Sequence, residues 1–128
     1  MTARRVLIVD DEDAIREIAQ LSMEVVGGHR ATGASSGAEA LDRALADPPD
    51  AILMDVMMPG LDGPATVAAL QADPRTRSID VVLLTAKVRP HDLARVDVLP
   101  GVAGVIAKPF DPMMLPAQVA EILGWDRA

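Results

Sequence analysis

The sequence contains no cysteine and almost no aromatic side chains, since Phe110 and Trp125 are its only Phe, Tyr or Trp residues. Without cysteine the chain can form neither disulfides nor thiolate metal sites, and it cannot use a thiol nucleophile. This composition also suits a reducing compartment. The core must therefore be built from aliphatic side chains, alanine and methionine.

Long hydrophobic runs and excess positive charge are also missing. No apolar run approaches the ~20 residues of a membrane span. The run that follows the basic N-terminus ends after four residues at Asp10, too soon for a signal peptide. The formal net charge of −7 argues against nucleic-acid binding. We therefore expect a cytoplasmic domain that binds neither a membrane nor nucleic acid.

The chain does contain short apolar runs that alternate with helical patterns over its 128 residues, half of which are hydrophobic. Four of the five runs are continuous, which is typical of parallel strands covered on both faces. The second run is weaker and indicates an edge strand. The predicted strands are Val6–Val9, His29–Thr32, Ala51–Met54, Val81–Leu84 and Val102–Ala107.

A helix is predicted after each strand. The first spans Glu12 to Val25 and stops at Gly27-Gly28, with an apolar face formed by Ile15, Ile18, Leu21, Ser22 and Val25. A capping box at Ser36–Glu39 opens the second helix, and Asp62 with Pro64 opens a third that ends near Ala72. The fourth begins at Pro90 and ends near Leu99, and the last begins at Asp111-Pro112. Strands that alternate with helices predict a doubly wound, parallel α/β domain, because crossover connections are right-handed. We expect one domain over residues 1–124 and a short tail over 125–128.

Chemically active side chains stand where four of these strands end. Asp10 and Asp11 follow the first strand, Asp55 ends the third, Thr85 ends the fourth, and Lys108 follows the fifth. Ligands of such sheets bind beyond the carboxyl ends of the strands. Taken singly, each acid could be only a helix cap or a turn former, and the lysine could be solvated. Their occurrence together, in order, at four strand ends favours one shared site.

The residue types at this site are suited to phosphoryl transfer. Three neighbouring carboxylates repel one another, and a hard cation such as Mg²⁺ relieves the repulsion. Asp55 could then attack phosphorus and form an aspartyl phosphate. Lys108 and Thr85 could contact the phosphoryl oxygens, because catalysis of this kind depends on positioning and charge neutralisation.

These motifs resemble those of receiver domains of two-component response regulators, and in particular the stand-alone, chemotaxis-type receivers. The resemblance covers essentially the whole chain. It implies a flavodoxin-like (βα)5 three-layer sandwich with a parallel sheet of strand order 2-1-3-4-5. The motifs that carry it are Val9-Asp10-Asp11-Glu12, Met54 to Gly63, Leu84-Thr85-Ala86 and Ala107-Lys108-Pro109-Phe110.

The resemblance also implies roles for individual residues. Asp55 would be the phosphoacceptor, with a histidine kinase or a histidine phosphotransfer protein as phosphoryl donor. Asp10 and Asp11 would serve Mg²⁺, with Asp11 as a direct ligand, and Asp55 and the backbone carbonyl of Met57 would be further ligands. Thr85 would be the switch hydroxyl and Lys108 the phosphate-binding cation, followed by a cis peptide bond to Pro109.

One position departs from the family pattern. Val105 stands where the family commonly has an aromatic residue, three positions before the lysine, so the switch must work without a ring that swings inward. The family reads out phosphorylation at the face formed by the fourth helix, the fifth strand and the fifth helix, where we expect a downstream protein to bind. We expect no output domain within this sequence, which is either a stand-alone receiver or one cut from a longer protein, and Met1 favours a natural start.

Two other functions compete with this interpretation. A phosphohydrolase of the haloacid-dehalogenase type also uses a strand-end aspartate, but it needs an acid two positions later, where this chain has Met57. A degenerate receiver-like scaffold would bind proteins without accepting phosphate. The presence of Asp11, Asp55, Thr85 and Lys108 together favours a working switch that catalyses only its own phosphorylation and dephosphorylation.

Overall fold

The protein forms one five-stranded parallel sheet in the order β2-β1-β3-β4-β5. The computed structural model describes residues 3–86 and 99–125. The strands are β1 (Arg5–Val9), β2 (Arg30–Ala34), β3 (Ala51–Asp55), β4 (Asp80–Thr85) and β5 (Val102–Ala107). The helices are α1 (Asp13–Leu21), α2 (Gly37–Ala46), α3 (Gly63–Ala72) and the C-terminal helix (Leu115–Leu123). The predicted strand order is confirmed, and β2 lies at an edge as expected.

The continuous apolar runs supply both faces of the sheet. Alternate residues of the central strands, such as Leu7 and Val9, are buried on one face with α2 and α3. Their neighbours Val6 and Ile8 are buried on the other face, with α1 and the C-terminal helix. Burial on both faces explains why these runs do not alternate with polar residues. It also leaves the strand ends as the place where polar side chains can gather.

The first helix differs from its prediction. After Leu21 the chain continues as a π-helical turn, Ser22–Val26, before Gly27. The buried side chains are Ala19, Ser22 and Met23, whereas Ile18, Leu21 and Val25 are 42%, 59% and 78% exposed. The predicted apolar face is therefore wrong at these three positions. The small side chain of Ala19 lets the helix lie close to Val6 and Ile8. Met23, in the π-helical turn, packs into the same buried cluster.

The caps at Ser36 and Asp62 follow the prediction, but the Glu39 carboxylate of the predicted capping box binds Ser35 rather than the N–H of Ser36. The Ser36 hydroxyl accepts a hydrogen bond from the backbone N–H of Glu39 at 3.1 Å. The Asp62 carboxylate accepts one from the backbone N–H of Ala65 at 2.9 Å. The Glu39 carboxylate accepts from the N–H and the hydroxyl of Ser35, one residue before the cap. These caps fix where α2 and α3 begin, and the cap of α3 closes the loop that follows Asp55.

The C-terminal helix begins later than predicted, at Leu115, because residues 112–114 form a turn. The Asp111 carbonyl accepts hydrogen bonds from the N–H groups of Met114 and Leu115. Leu115 and Val119 are fully buried on the sheet, as predicted. The helix predicted to begin at Pro90 lies outside the described residues. No helix in the described part of the chain is long and apolar enough to cross a membrane.

An aromatic contact joins the C-terminal end of the described chain to the first two strands. The Trp125 ring lies 5.2 Å from the His29 ring, centroid to centroid, and the Arg4 guanidinium lies 5.2 Å from the Trp125 centroid. The backbone N–H of Arg4 donates to Nδ1 of His29 at 3.0 Å. Arg4 and His29 precede β1 and β2, so this cluster lies at the sheet edge opposite the strand ends that carry the acids.

Candidate functional site

The acids that follow β1 and end β3 meet at the carboxyl edge of the sheet. Each of Asp10, Asp11 and Asp55 offers a carboxylate oxygen, and these oxygens lie within 4.8 Å of one another. The register explains the meeting, because Val9 pairs with Met54 and so brings the next residue of each strand side by side. Asp10 is fully buried and Asp55 is 5% exposed, whereas Asp11 is exposed. The cluster is therefore buried on the protein side and open to solvent at Asp11.

The Lys108 side chain reaches into this cluster from the end of β5. Its Nζ lies 3.0 Å from Oδ2 of Asp10 and 3.2 Å from Oδ1 of Asp55. The backbone N–H of Lys108 donates to the Thr85 carbonyl at 2.7 Å, which ties the loop to the end of β4. The Lys108-Pro109 peptide bond is cis, as predicted. The ammonium group is thus shared between the two buried carboxylates.

The electrostatics of the cluster raise the pKa of both Asp55 and Lys108, for different reasons. Burial and repulsion by Asp10 raise the pKa of Asp55, and contacts with Lys108 and the backbone N–H of Met57 only partly offset this. Burial alone lowers the pKa of Lys108, but the hydrogen bond to Asp10 and the attraction of both carboxylates raise it above its ordinary value. Lys108 therefore stays charged, and the cluster retains more negative than positive charge.

Asp10 is held on every polar atom. Its backbone N–H donates to the Ala34 carbonyl at 3.1 Å, and its Oδ1 accepts from the backbone N–H of Glu12 at 2.9 Å. Its Oδ2 accepts from Lys108. Its carbonyl oxygen accepts from the Arg16 guanidinium at 2.9 Å. Asp10 thus links the lysine to the loop, while Asp11 presents its carboxylate to solvent.

The other predicted site residues surround this cluster. Thr85 is half-buried at the end of β4 and pairs with Ala107 in β5, one strand beyond Asp55. Val105 is half-buried in β5, where it packs against the core that includes Leu83. The Met57 side chain is 76% exposed at the rim, whereas Met58 is 7% exposed and belongs to the core. The sequence alone predicts that both methionines shape the rim of the pocket, because they flank the loop after Asp55, and this is wrong for Met58.

The cluster fits a hard divalent cation. Three carboxylates provide the oxygen ligands that such ions prefer, and their excess negative charge needs a positive partner. Lys108 and the Glu12 N–H already occupy both oxygens of Asp10. Asp55 contacts Lys108 and the Met57 N–H, so the exposed Asp11 carboxylate is the ligand most open to a cation. Mg²⁺ is usually bound by one or two carboxylates together with water and phosphate oxygens. These acids could hold a cation in that manner.

Two contacts of the site were missed by the sequence interpretation. One is the backbone N–H of Met57, which contributes to the environment of Asp55. The other is Arg16, whose guanidinium contacts the Asp10 carbonyl. The Met57 contact is made by the backbone, so the type of residue at position 57 gives no indication of it. An arginine one turn into the helix after an acidic strand end was the available signal for the second.

The fold and the cluster together define a class of protein, a doubly wound α/β domain with an acidic pocket and a lysine at the carboxyl edge of its sheet. Comparison with known proteins makes the class specific. The family described as response regulator receiver domain matches residues 6–120. The chain therefore belongs to the receiver domains of response regulators, which act in two-component signal transduction.

Relatives and solved structures agree with this assignment. The chain is 41% identical over 121 residues to response regulator PleD of Caulobacter vibrioides, covering 92% of this chain and 26% of PleD. It is 35% identical to the phosphate regulon transcriptional regulatory protein PhoB of Klebsiella pneumoniae, covering 94% of this chain and 52% of that protein. The chain thus spans between a quarter and about half of these two relatives.

Solved receiver structures match nearly end to end. Chemotaxis protein CheY4 of Vibrio cholerae superposes with a TM-score of 0.86 at 27% identity, covering 94% of this chain and 99% of CheY4. A putative response regulator from Chloroflexus aurantiacus gives a TM-score of 0.86 at 32% identity, covering 96% and 99%. The predicted flavodoxin-like receiver fold is confirmed.

Proposed function

We propose that Asp55 accepts a phosphoryl group from a phosphohistidine of a sensor kinase or a phosphotransfer protein, and that this changes which partner the domain binds. The position of the Asp55 carboxylate carries the proposal. It lies 3.2 Å from the Lys108 ammonium and beside the Asp10–Asp11 pair, in the cluster that opens to solvent at Asp11. A nucleophile, a cation for the phosphoryl oxygens and a metal-binding pair are therefore adjacent.

The proposed reaction is a transfer from nitrogen to oxygen. A carboxylate oxygen of Asp55 attacks phosphorus, so that an O–P bond forms as the N–P bond to the donor histidine breaks. The electron pair of the broken bond goes to the imidazole. Because Lys108 is already held beside Asp55, it can contact the phosphoryl oxygens without first being ordered.

Asp11, Asp55 and the Met57 carbonyl would hold Mg²⁺ at the proposed site, and Asp10 would support them. When bound, Mg²⁺ supplies positive charge that neutralises the acids and the incoming phosphoryl oxygens. The three carboxylates carry excess negative charge, and a cation would reduce their repulsion of an anionic donor. Asp10 would act mainly through Lys108, since both of its carboxylate oxygens accept protein hydrogen bonds.

The proposed signal leaves through β4 and β5. Phosphorylation adds about −1.5 to −2 charges and new acceptor oxygens. Thr85 and Lys108 stand at the ends of these adjacent strands, joined by the 2.7 Å hydrogen bond from the Lys108 N–H to the Thr85 carbonyl. Contacts with the phosphoryl group would bias an existing equilibrium of this edge. Val105 lies half-buried on β5, so the proposed change is a shift of packing rather than the swing of an aromatic ring.

We further propose that the domain catalyses only its own phosphorylation and dephosphorylation. A phosphohydrolase would need a second acid where Met57 presents an exposed apolar side chain. The donor kinase would draw on ATP, which makes the cytoplasm the proposed compartment. The downstream partner would be a protein that reads a face that includes β5 and the C-terminal helix.

A mass measurement tests the proposal. The protein is incubated with Mg²⁺ and a small-molecule phosphodonor, and its intact mass is compared with that of Asp55→Asn. Asp62→Asn is the matched control, because it makes the same substitution seven residues away and Asn also caps helices well. We expect one labile phosphoryl group on the wild type and on Asp62→Asn, and none on Asp55→Asn.

Each alternative gives a different result. A degenerate scaffold gains no mass under any condition. A phosphohydrolase turns over the donor and unrelated monoesters many times without retaining a phosphoryl group. A phosphoryl group that persists in Asp55→Asn would refute the assignment of Asp55.

A further inference from the structure

Arg16 on α1 reaches back to the loop that carries the acidic pair. Its Nη1 donates to the Asp10 carbonyl at 2.9 Å, and its Nη2 donates to Oδ1 of Asp13 at 2.7 Å. The Arg16 side chain is 18% exposed, whereas that of Asp13 is 80% exposed. Two nitrogens of one rigid group are thus fixed to two different positions of the loop and the first helical turn. The guanidinium is a clamp rather than a solvated surface charge.

The carbonyl that Arg16 binds belongs to the peptide between Asp10 and Asp11. On the other side of Asp10, the backbone N–H is already fixed to the Ala34 carbonyl in β2. Arg16 is therefore the contact that orients the peptide leading to Asp11. The direction of this peptide sets where the Asp11 carboxylate can point.

Asp11 has few other constraints. Within residues 3–86 and 99–125, the Asp11 carboxylate makes no hydrogen bond or ion pair, and the residue is exposed. Asp10, in contrast, is held by Glu12 and Lys108 through both carboxylate oxygens. The placement of Asp11 thus depends on its backbone, and hence on Arg16.

Strand β2 leaves room for the arginine. A Cβ atom placed on Gly33 would lie 3.1 Å from Cδ of Arg16 and 2.6 Å from Oε1 of Gln20. Such contacts are tighter than side chains normally make, so a larger residue at position 33 would have to displace both. The path of the Arg16 side chain is therefore enclosed by helix, loop and strand.

We propose that Arg16 is a positioning residue for metal binding, which holds the Asp10–Asp11 peptide so that Asp11 meets the cation in a fixed place. This rests on the proposed function of the cluster as a Mg²⁺ site. Residues behind the direct ligands commonly control metal affinity, and their loss typically costs 10- to 100-fold.

Charge and position predict opposite effects of removing Arg16. A guanidinium beside an acidic cluster repels a cation, so its removal would tighten Mg²⁺ binding if charge alone mattered. Loss of the clamp would instead let the Asp11 carboxylate move, and binding would weaken. The sign of the change in affinity therefore separates the two.

Calorimetric titration with Mg²⁺ measures that sign. We expect Arg16→Met to bind at least about tenfold more weakly than the wild type. Arg16→Lys keeps the charge but cannot make both contacts, and we expect weaker binding there too. Arg43→Met is the matched control, because Arg43 pairs with Glu39 on the exposed surface of α2. The Mg²⁺ affinity of this variant should differ from that of the wild type by less than about twofold. Unchanged or tighter binding by Arg16→Met would overturn the proposal.

A measurement without metal separates this inference from the function on which it rests. In metal-free protein, the backbone amide shifts of Asp11 and Glu12 should change in Arg16→Met and Arg16→Lys and stay constant in Arg43→Met. Constant shifts in both Arg16 variants would overturn the positioning role. Changed shifts in a protein that does not bind Mg²⁺ would support the positioning role and refute the metal site. If Arg16→Met does not fold, Arg16→Lys carries the same two measurements.

Discussion

The Lys108 ammonium lies 3.0 Å from Oδ2 of Asp10, a carboxylate with no exposed surface. The two residues are separated by 98 positions in sequence, and the pair joins the end of β5 to the end of β1 across the centre of the sheet. An ion pair this deeply buried behaves differently from one on the surface. Removing one partner leaves the other as an uncompensated charge.

We predict that Lys108→Met lowers the free energy of unfolding by about 3 kcal/mol, because Asp10 loses its cation. Urea unfolding at neutral pH measures the change. The surface pair of Arg5 with Asp47 provides the comparison, since Arg5→Met should cost less than about 1 kcal/mol. Adding Asp10→Asn to Lys108→Met should recover part of the loss. A double variant that is less stable than Lys108→Met alone would show that the pair is not the source.

Asp55→Asn should have the opposite effect on stability in the absence of metal. Burial and Asp10 raise the pKa of Asp55 above its ordinary 3.8, so the folded state disfavours the charged form. At neutral pH the substitution removes that unfavourable charge, and the urea midpoint should rise. As pH falls through the raised pKa toward 3.8, the wild type is relieved by protonation and the difference should shrink.

Unfolding in the presence of a chelator over a series of pH values tests this. Asp42→Asn, on the exposed surface of α2, should leave the midpoint nearly unchanged at every pH. A difference between Asp55→Asn and wild type that is independent of pH would exclude the electrostatic explanation.

Magnesium should stabilise the folded protein in proportion to its binding. A ligand that binds only the folded state adds about 1.4 kcal/mol for each tenfold excess over its dissociation constant. We expect Mg²⁺ to raise the Tm of the wild type, and Asp11→Asn to lose most of that increase. Thermal unfolding with and without Mg²⁺ gives both values. Asp42→Asn should retain the full increase, and an equal loss in that variant would point to non-specific ion binding.

His29 should make the aromatic cluster sensitive to acid. Burial, followed by the charge of Arg4, lowers the pKa of His29, with Asp50 opposing. Because the folded state favours the neutral ring, the stability it contributes is present above the unfolded pKa of 6.5 and is lost as pH falls through the lowered folded pKa. Protonation would also place a hydrogen on Nδ1, which accepts from the Arg4 N–H.

Trp125, the only tryptophan, reports this transition by fluorescence. We expect its emission to change with a midpoint below pH 6.5 in the wild type. His29→Phe preserves an aromatic ring beside Trp125 and should show no such transition. The same midpoint in His29→Phe would assign the transition to another group.

Much of the fold follows from features that are local in sequence. The apolar runs of β1, β3 and β4 and the caps at Ser36 and Asp62 correspond to structure because they depend on neighbouring residues only. The strand-end acids were placed correctly at one edge, since parallel strands share a direction. Strand order, by contrast, depends on contacts between distant elements and came from the family resemblance.

The errors have a common physical origin in packing between elements. Ile18, Leu21 and Val25 fit a helical period, but the closeness of α1 to the sheet selects Ala19 and leaves them outside. Met58 reads as part of a loop, yet the chain turns inward there and buries it. Arg16 lies one helical turn after the acidic strand end, but its importance becomes clear only when the contact with the Asp10 carbonyl is seen.

Trp125 is an intrinsic fluorescent probe that lies far from the acidic cluster. β1 runs five residues, about 17 Å, between the Arg4 side of the sheet and the Asp10 side. Any change in indole emission on addition of Mg²⁺ or a phosphodonor would therefore report an effect that reaches across about that distance. Unchanged emission would mean that the effects of binding or phosphorylation stay near the acidic cluster. Trp125 fluorescence therefore distinguishes long-range coupling from a local response.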